Sequence, residues 1–225
     1  MKRYKPIAVV LIGSMLVLMG CATTKITSFC DPDYQGTTIE GAMVAGLFGD
    51  LETRQKTEGA FIKVFNERGI GIRVIPSMKL APPTRPDITE EEMRSALKQE
   101  GISMILAVQL TDAYSQESYV PESSYTEVQG SVWGNTFQGT SSTQKFGGFY
   151  VSKPTMLFKV QLYDTENYRM VWTSSSLTRG DAFADFDAMV KSLAHATLIK
   201  LYEDGLIKGV RNMKVEDTTP DWFGH

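Results

Sequence analysis

Residues 89–110 constrain the fold more than any other stretch of the chain. Thr89-Glu90-Glu91-Glu92 has the form of a capping box, with Thr89 at the N-cap and Glu92 three residues on. Ile88 and Met93 are spaced as a hydrophobic staple across it. Glu90 and Arg94 form an i,i+4 pair, and Gly101 is placed to close the helix. The run Ile102–Leu110 follows at once, and a continuous apolar run of this length reads as a strand buried on both faces. A helix packed beside such a strand requires a sheet with further elements on both sides.

The flanking residues repeat the pattern. Ala42–Phe48 reads as a buried strand, Leu51–Arg68 as a helix ending at Gly69, and Ile70–Leu80 as a second strand. The order strand, helix, strand, helix, strand predicts an α/β fold, a sheet with helices packed on it. Thr155–Tyr163 alternates through Met156, Phe158, Val160 and Leu162. Tyr168–Ser174 returns after the turn at Asp164–Asn167, with Met170 and Trp172 expected on one face, giving a β-hairpin. A last helix is expected over Asp185–Asp204, stopping at Gly205. The α/β domain therefore spans residues 42–207, followed by a polar tail, 208–225.

Residues 113–153 interrupt this order. They are rich in Ser, Thr, Gly and Gln, with interleaved aromatics that include Tyr125, Trp133 and Phe137. The stretch is too long for an ordinary connection. Two forms fit it: an extended hairpin whose aromatics pack on the sheet, or a mobile arm whose aromatics meet a partner.

The N-terminus carries the sharpest motif. Lys2, Arg3 and Lys5 precede an apolar run, Ile7–Met19, and small Gly20 precedes Cys21. This is the layout of an export signal, and the run is short for a membrane span. Leu18-Met19-Gly20-Cys21 resembles the lipobox of bacterial lipoproteins. That resemblance implies cleavage before Cys21, acylation of its sulfur, and a membrane anchor made of lipid. Ala22 in place of aspartate implies the outer membrane. Removal of residues 1–20 from the 225 leaves 205, enough for one domain with a sizeable core. The signal holds three of the 23 basic residues and none of the 26 acidic ones, so the remainder has a formal charge of −6. Without a basic cluster, nucleic acid is not an expected partner. Residues 21–41 read as a lipidated tether, with a short strand at Ile26–Cys30. Cys30 then has no cysteine to bridge within the chain. It is expected to be partly buried and inert, or else to pair between chains.

Catalytic signatures are missing. Gly46-Leu47-Phe48-Gly49 lacks a phosphate-loop lysine, no Gly-x-Ser-x-Gly elbow occurs, and no Cys/His/carboxylate spacing suggests zinc. His195, one of two histidines, falls away from the apolar face of the last helix and is expected in solvent. One charged pair stands on an apolar stripe. Arg54 and Glu58 project beside Phe61 and Phe65, either as a structural ion pair or as a ligand-facing arginine.

Several positions together carry a wider resemblance. They are Arg54 and Glu58 before Phe61, Pro76-Ser77 at a strand end, the Thr89 box, Met104–Val108, Leu162-Tyr163-Asp164, Val171-Trp172-Thr173 and Gly205-Leu206-Ile207. The chain resembles a family of small, uncharacterised bacterial outer-membrane lipoproteins. That family is similar in layout to penicillin-binding-protein activator lipoproteins and to the soluble domain of the curli secretion lipoprotein. The resemblance implies a non-catalytic envelope role without cofactors. Its expected partners are membrane lipid, through acylated Cys21, and an envelope protein or surface polymer. An enzyme with an unrecognised site and an oligomeric secretion component are the alternatives. Cys21→Ser is expected to abolish lipidation and leave unprocessed precursor, read by mass spectrometry of the envelope fraction. A mature, membrane-held Cys21→Ser protein would refute the lipobox.

Overall fold

The computed structural model describes residues 20–211 except 70, 86, 134 and 135. Residues 1–19, where the export signal is expected, and residues 212–225 of the tail lie outside the described residues. Six strands form one sheet, in the order β1 (Ala22–Cys30), β8 (Met170–Gly180), β7 (Phe149–Asp164), β4 (Met104–Val120), β2 (Gly41–Gly46) and β3 (Arg73–Pro76). The helices packed on it are α1 (Leu51–Arg68), the single turn α2 (Ser77–Leu80), α3 (Glu90–Gln99) and α4 (Phe186–Glu203). β2 pairs parallel with both β3 and β4. The β4–β7, β7–β8 and β8–β1 pairs are antiparallel. The expected α/β order is present as β2–α1–β3–α3–β4. Parallel neighbours need such crossovers, because a hairpin turn cannot join them.

The two halves of the sheet are covered differently. α1 packs on β2 and β3, and α4 packs on β1, β8 and α1. Beneath these helices Val44, Val74, Leu106, Val108, Phe158, Val160, Leu162 and Trp172 join one core with Phe61, Phe65, Leu193 and Leu198. On the opposite face Met43, Ile75 and Ile102 pack with Leu97 of α3, and Ile105 lies against them. The parallel half is thus buried on both sides, which explains the unbroken apolar run of early β4. In β8 burial alternates, with Ser174, Ser176 and Thr178 turned inward and Ser175 and Arg179 outward. A sheet covered on one face shows this pattern.

The termini of α3 form as its sequence demands. Thr89 N donates to Glu92 Oε2 at 2.9 Å, and Glu92 N donates to Thr89 Oγ1 at 3.2 Å. At the other end Gly101, at φ 66°, donates to Lys98 O, and Ile102 N donates to Leu97 O. This is a Schellman closure, with Ile102 and Leu97 as its apolar contact. Gly205 ends α4 in the same way, at φ 77°, with Leu206 N donating to Leu201 O.

Four expectations are corrected. Residues 22–30, read as a tether, form the nine-residue edge strand β1. Thr24, Ile26, Ser28 and Cys30 turn toward α4 while Thr23, Lys25, Thr27 and Phe29 face out. The polar composition concealed a period of two. The strand expected over Ile70–Leu80 spans only Arg73–Pro76, and Ser77 opens α2. Met170 and Trp172 do not share a face. The register shifts between Leu162 and Tyr163, so Val171 and Trp172 are both buried and Met170 is exposed. Residues 113–153, finally, do not pack their described aromatics on the sheet but extend its central strands.

Thr89→Ala removes the side-chain acceptor of the α3 cap. It is expected to lower unfolding free energy by about 1 kcal/mol in urea titration. An unchanged midpoint would show that the cap is not formed.

Candidate functional site

Three places in the fold gather candidate residues: the end of the sheet that carries Cys21, the arm of residues 113–153, and the charged cluster around Glu58.

Cys21 sits directly before β1, and its backbone is fixed. Its N–H donates to Asp181 Oδ2 at 2.8 Å, and Asp181 N donates back to Cys21 O at 2.9 Å. Phe183 N donates to the same carboxyl group at 2.9 Å. The Cys21 and Phe183 amides hold Asp181 below the usual aspartate range, and Lys153 reinforces them. The candidate lipidation position therefore has no slack between itself and the sheet. Cys30, at the far end of β1, is about 30 Å away at strand rise, well beyond disulfide reach. It is half-buried, and burial, then Asp204 and Asp31, push its thiol up. A raised thiol is a poor nucleophile.

The arm begins at the Cys21 end. Ala22 pairs with Gly180, Arg179 with Thr155, and Thr155 with Tyr114. Beyond that row β8 and β1 stop, and β4 and β7 continue paired to Val120 and Phe149. After Pro121-Glu122 and Gly147-Gly148, β5 (Ser123–Trp133) and β6 (Thr136–Phe146) pair along their whole length. Gly147, at φ 97°, lies against Pro121, whose carbonyl oxygen would stand 2.2 Å from any Cβ there. Only glycine fits. Tyr114, Tyr119, Phe149 and Tyr150 are 50%, 51%, 53% and 70% exposed. The Tyr119 and Tyr150 rings face each other across the ladder, with centroids 5.1 Å apart. Among the sequence candidates, Tyr125 and Trp133 fall on β5 and Phe137 on β6. The register pairs Tyr125 with Gln144, Trp133 with Thr136 and Phe137 with Val132. One hairpin thus brings Trp133 and Phe137 to adjacent rows and leaves Tyr125 farther back.

Arg54 and Glu58 form an ion pair at 3.0 Å. Glu58 is 1% exposed, although it is charged. Its Oε1 also accepts from Gly46 N at 3.1 Å and from Ser77 Oγ at 2.5 Å. The second Arg54 nitrogen donates to Ser77 Oγ at 2.7 Å. The carboxylate thus ties α1 to the ends of β2 and β3. Three donors on Oε1, with Met78 N 3.5 Å from Oε2, satisfy the buried group locally, and this is an architectural arrangement. Sequence reading found the pair from its spacing but missed Ser77, whose approach depends on β3 ending where it does.

His195 departs from expectation. It is half-buried beside an open groove of about 490 Å³ that also touches Ala22, Phe183 and Lys191. Desolvation, then Arg68 and Lys191, pull it below its usual pKa. The end of α1, with Glu67 and Arg68, comes up to this flank of α4, which the helical wheel alone does not reveal. A second network escaped the sequence. Asp204 Oδ2 accepts from Trp172 Nε1 at 2.7 Å and from Ser28 Oγ at 2.5 Å. Burial pushes this carboxyl up, but those bonds and Lys200 outweigh it and hold it below the usual range. Its partners come from β1 and β8, far apart in the chain. Among the described residues, no cluster of His, Cys, Asp or Glu is placed to hold a metal, and no helix is long and apolar enough to cross a membrane.

No protein-family model matches the chain, and no curated protein matches it. Solved structures do align. The PelC dodecamer from Paraburkholderia phytofirmans matches with a TM-score of 0.45 and 12% identity, over 83% of this chain and 100% of that one. Lipoprotein GNA1162 from Neisseria meningitidis matches with a TM-score of 0.37 and 14% identity, over 72% and 98%. The hypothetical protein CT253 from Chlamydia trachomatis gives 0.34 and 11%, over 73% and 95%. Likeness this loose carries no inference about function.

Arg54→Ala separates the two readings of the charged pair. As a structural partner, its loss strands a buried carboxylate and should cost about 3 kcal/mol, the lower end for broken buried pairs, because Ser77 and Gly46 still bind it. A ligand-facing arginine would leave the urea midpoint near that of the parent.

Proposed function

We propose that the protein is a lipid-anchored lipoprotein of the outer membrane, facing the periplasm, and that it is a non-catalytic binding or accessory module of the cell envelope. Acylated Cys21 is its anchor and the β5–β6 hairpin its contact surface for an envelope protein or surface polymer. The observation that supports this reading best is the arm itself. A fold of this size has no need to extend its central strands past the sheet, and the described aromatics on that extension lie outside the core. Exposed aromatics supply much of the contact energy at typical interfaces.

The anchor reading is compatible with the hydrogen bonding around Cys21. After cleavage its nitrogen is either an amine or an acylated amide. Both keep an N–H for Asp181, so processing need not disturb the start of β1.

Replacing Tyr125, Trp133 and Phe137 together with serine tests the hairpin. The variant is expected to keep its circular dichroism and unfolding midpoint while losing crosslinked partner capture from envelopes. Truncating buried aromatics would instead cost roughly 3–5 kcal/mol each and unfold the protein. A folded variant with undiminished capture would exclude the hairpin as the contact surface.

A further inference from the structure

We propose that the base of the arm, Tyr114–Val120 with Phe149–Thr155, rests in the interfacial layer of the membrane that holds the acylated Cys21. The inference depends on the lipid-anchor reading above and adds a second, protein-made membrane contact to it.

The geometry runs from the anchor outward. Cys21 is bound through its own backbone to Asp181, so its lipid leaves the sheet with no linker. The membrane surface must then lie within a side chain's length of this end of the sheet. The arm departs from the same end. Following the register from Ala22–Gly180 through Arg179–Thr155 puts Lys153 in the row of Asp181 and Cys21. The charge of Lys153 does act on Asp181. Tyr150 is three residues farther along β7, about 10 Å past the anchor row at strand rise. An arm leaving in that direction meets the bilayer surface.

The side chains suit that surface. Ten large apolar side chains are exposed among the described residues, and five of them gather at this end: Tyr114, Tyr119, Phe149, Tyr150 and Phe183. Phe183 follows Asp181 directly around the anchor. Tyrosine and phenylalanine are at home at the depth of lipid headgroups, where a ring can be half apolar and half wet. The nearby charges, Glu117, Glu122, Lys145 and Lys153, are mixed in sign. Attraction to anionic lipid needs a basic cluster, so the contact is apolar and suits neutral headgroups. From Val128 to Gln144 the hairpin beyond carries no charged residue, so no charge there resists approach to lipid.

The test uses the processed, lipidated protein in vesicles of phosphatidylethanolamine and phosphatidylcholine. In a Cys30→Ser background, Ser152→Cys and, separately, Glu166→Cys carry an environment-sensitive fluorophore, and the lipid carries a quencher near its headgroup. Ser152 lies on the arm base and Glu166 in the turn at the opposite end of β7. The label at 152 is expected to be quenched severalfold more than that at 166, unaffected by salt. Tyr119→Ser with Tyr150→Ser and Phe183→Ser should weaken the quenching while the protein still floats with the vesicles. Floating protein with equal quenching at both sites would overturn the inference and leave the anchor standing. Protein that does not float would overturn both. Energy transfer between copies at the 152 label, without lipid quenching, would assign the surface to a second copy and also overturn it.

Discussion

β4 sets the position of everything else. It pairs parallel with β2 on one side and antiparallel with β7 on the other, so it joins two half-sheets built by different rules. Its first residues are covered on both faces, Leu106 and Val108 by the helical layer and Ile105 by the cluster around α3. That double burial requires α1 and α3 on opposite sides. The crossovers that carry them can exist only between parallel strands. Past Val108 only Leu110 still packs on the core. Gln109 is exposed, the register shifts between Leu110 and Asp112, and the strand runs out of the sheet with β7 still beside it. Core and arm are therefore one pair of strands, and movement of the arm's base would be felt in the central ladder.

The antiparallel half solves a different problem. α4 lies over β8 and β1 on small and hydroxyl-bearing residues. Thr24 lies 3.0 Å from Thr178 and 2.8 Å from Ser192, hydroxyl to hydroxyl. Ser174 and Ser176 donate to the carbonyls of Val160 and Phe158. Burial favours hydroxyls paired in this way, although Thr197 on α4 and Thr57 on α1 bury theirs without a partner. Small side chains let the helix come close, and Gly180 shows how close: a Cβ there would stand 3.0 Å from Met189 Sδ of α4 and 2.4 Å from Ala184 Cβ in the loop before it. Trp172 supplies the bulk at the other end of the strand, with its ring nitrogen satisfied by Asp204.

Much of this fold was legible because it rests on local chemistry. The α3 cap, its Schellman closure at Gly101 and the end of α4 at Gly205 are each encoded within a few residues. The doubly buried start of β4 shows as an apolar run, and the Arg54–Glu58 pair shows as a spacing of four. What stayed hidden depends on partners distant in sequence. β1 is polar because half of it faces water and the other half meets hydroxyls of β8 and α4, so its composition resembled a tether. The bulge at Val171 becomes visible only against β7. The half-burial of His195 comes with the packing of α1 beside α4, which brings Glu67 and Arg68 near the ring. Nothing in the local sequence marks Asp181 or Asp204, and their roles come from Cys21, Ser28 and Trp172.

The shortness of the link between Cys21 and β1 has a consequence beyond anchoring. A lipoprotein on a long polar tether can present any face to its surroundings, because the tether averages orientation away. Here Cys21 is held by two hydrogen bonds to Asp181, and Ala22 is already in the sheet, so under the proposed cleavage the anchor would have no tether. A lipid fixed there transmits the tilt of the bilayer to the fold. The turn at Asp164–Arg169 and the cluster of Tyr34, Asp31 and Arg169 then lie at the end of the sheet away from the anchor. The arm and Phe183 lie at the end beside it. The molecule therefore has two chemically distinct poles, one aromatic and one ionic, and a lipid on Cys21, as proposed, would hold them in a fixed relation to the membrane through the rigid start of β1.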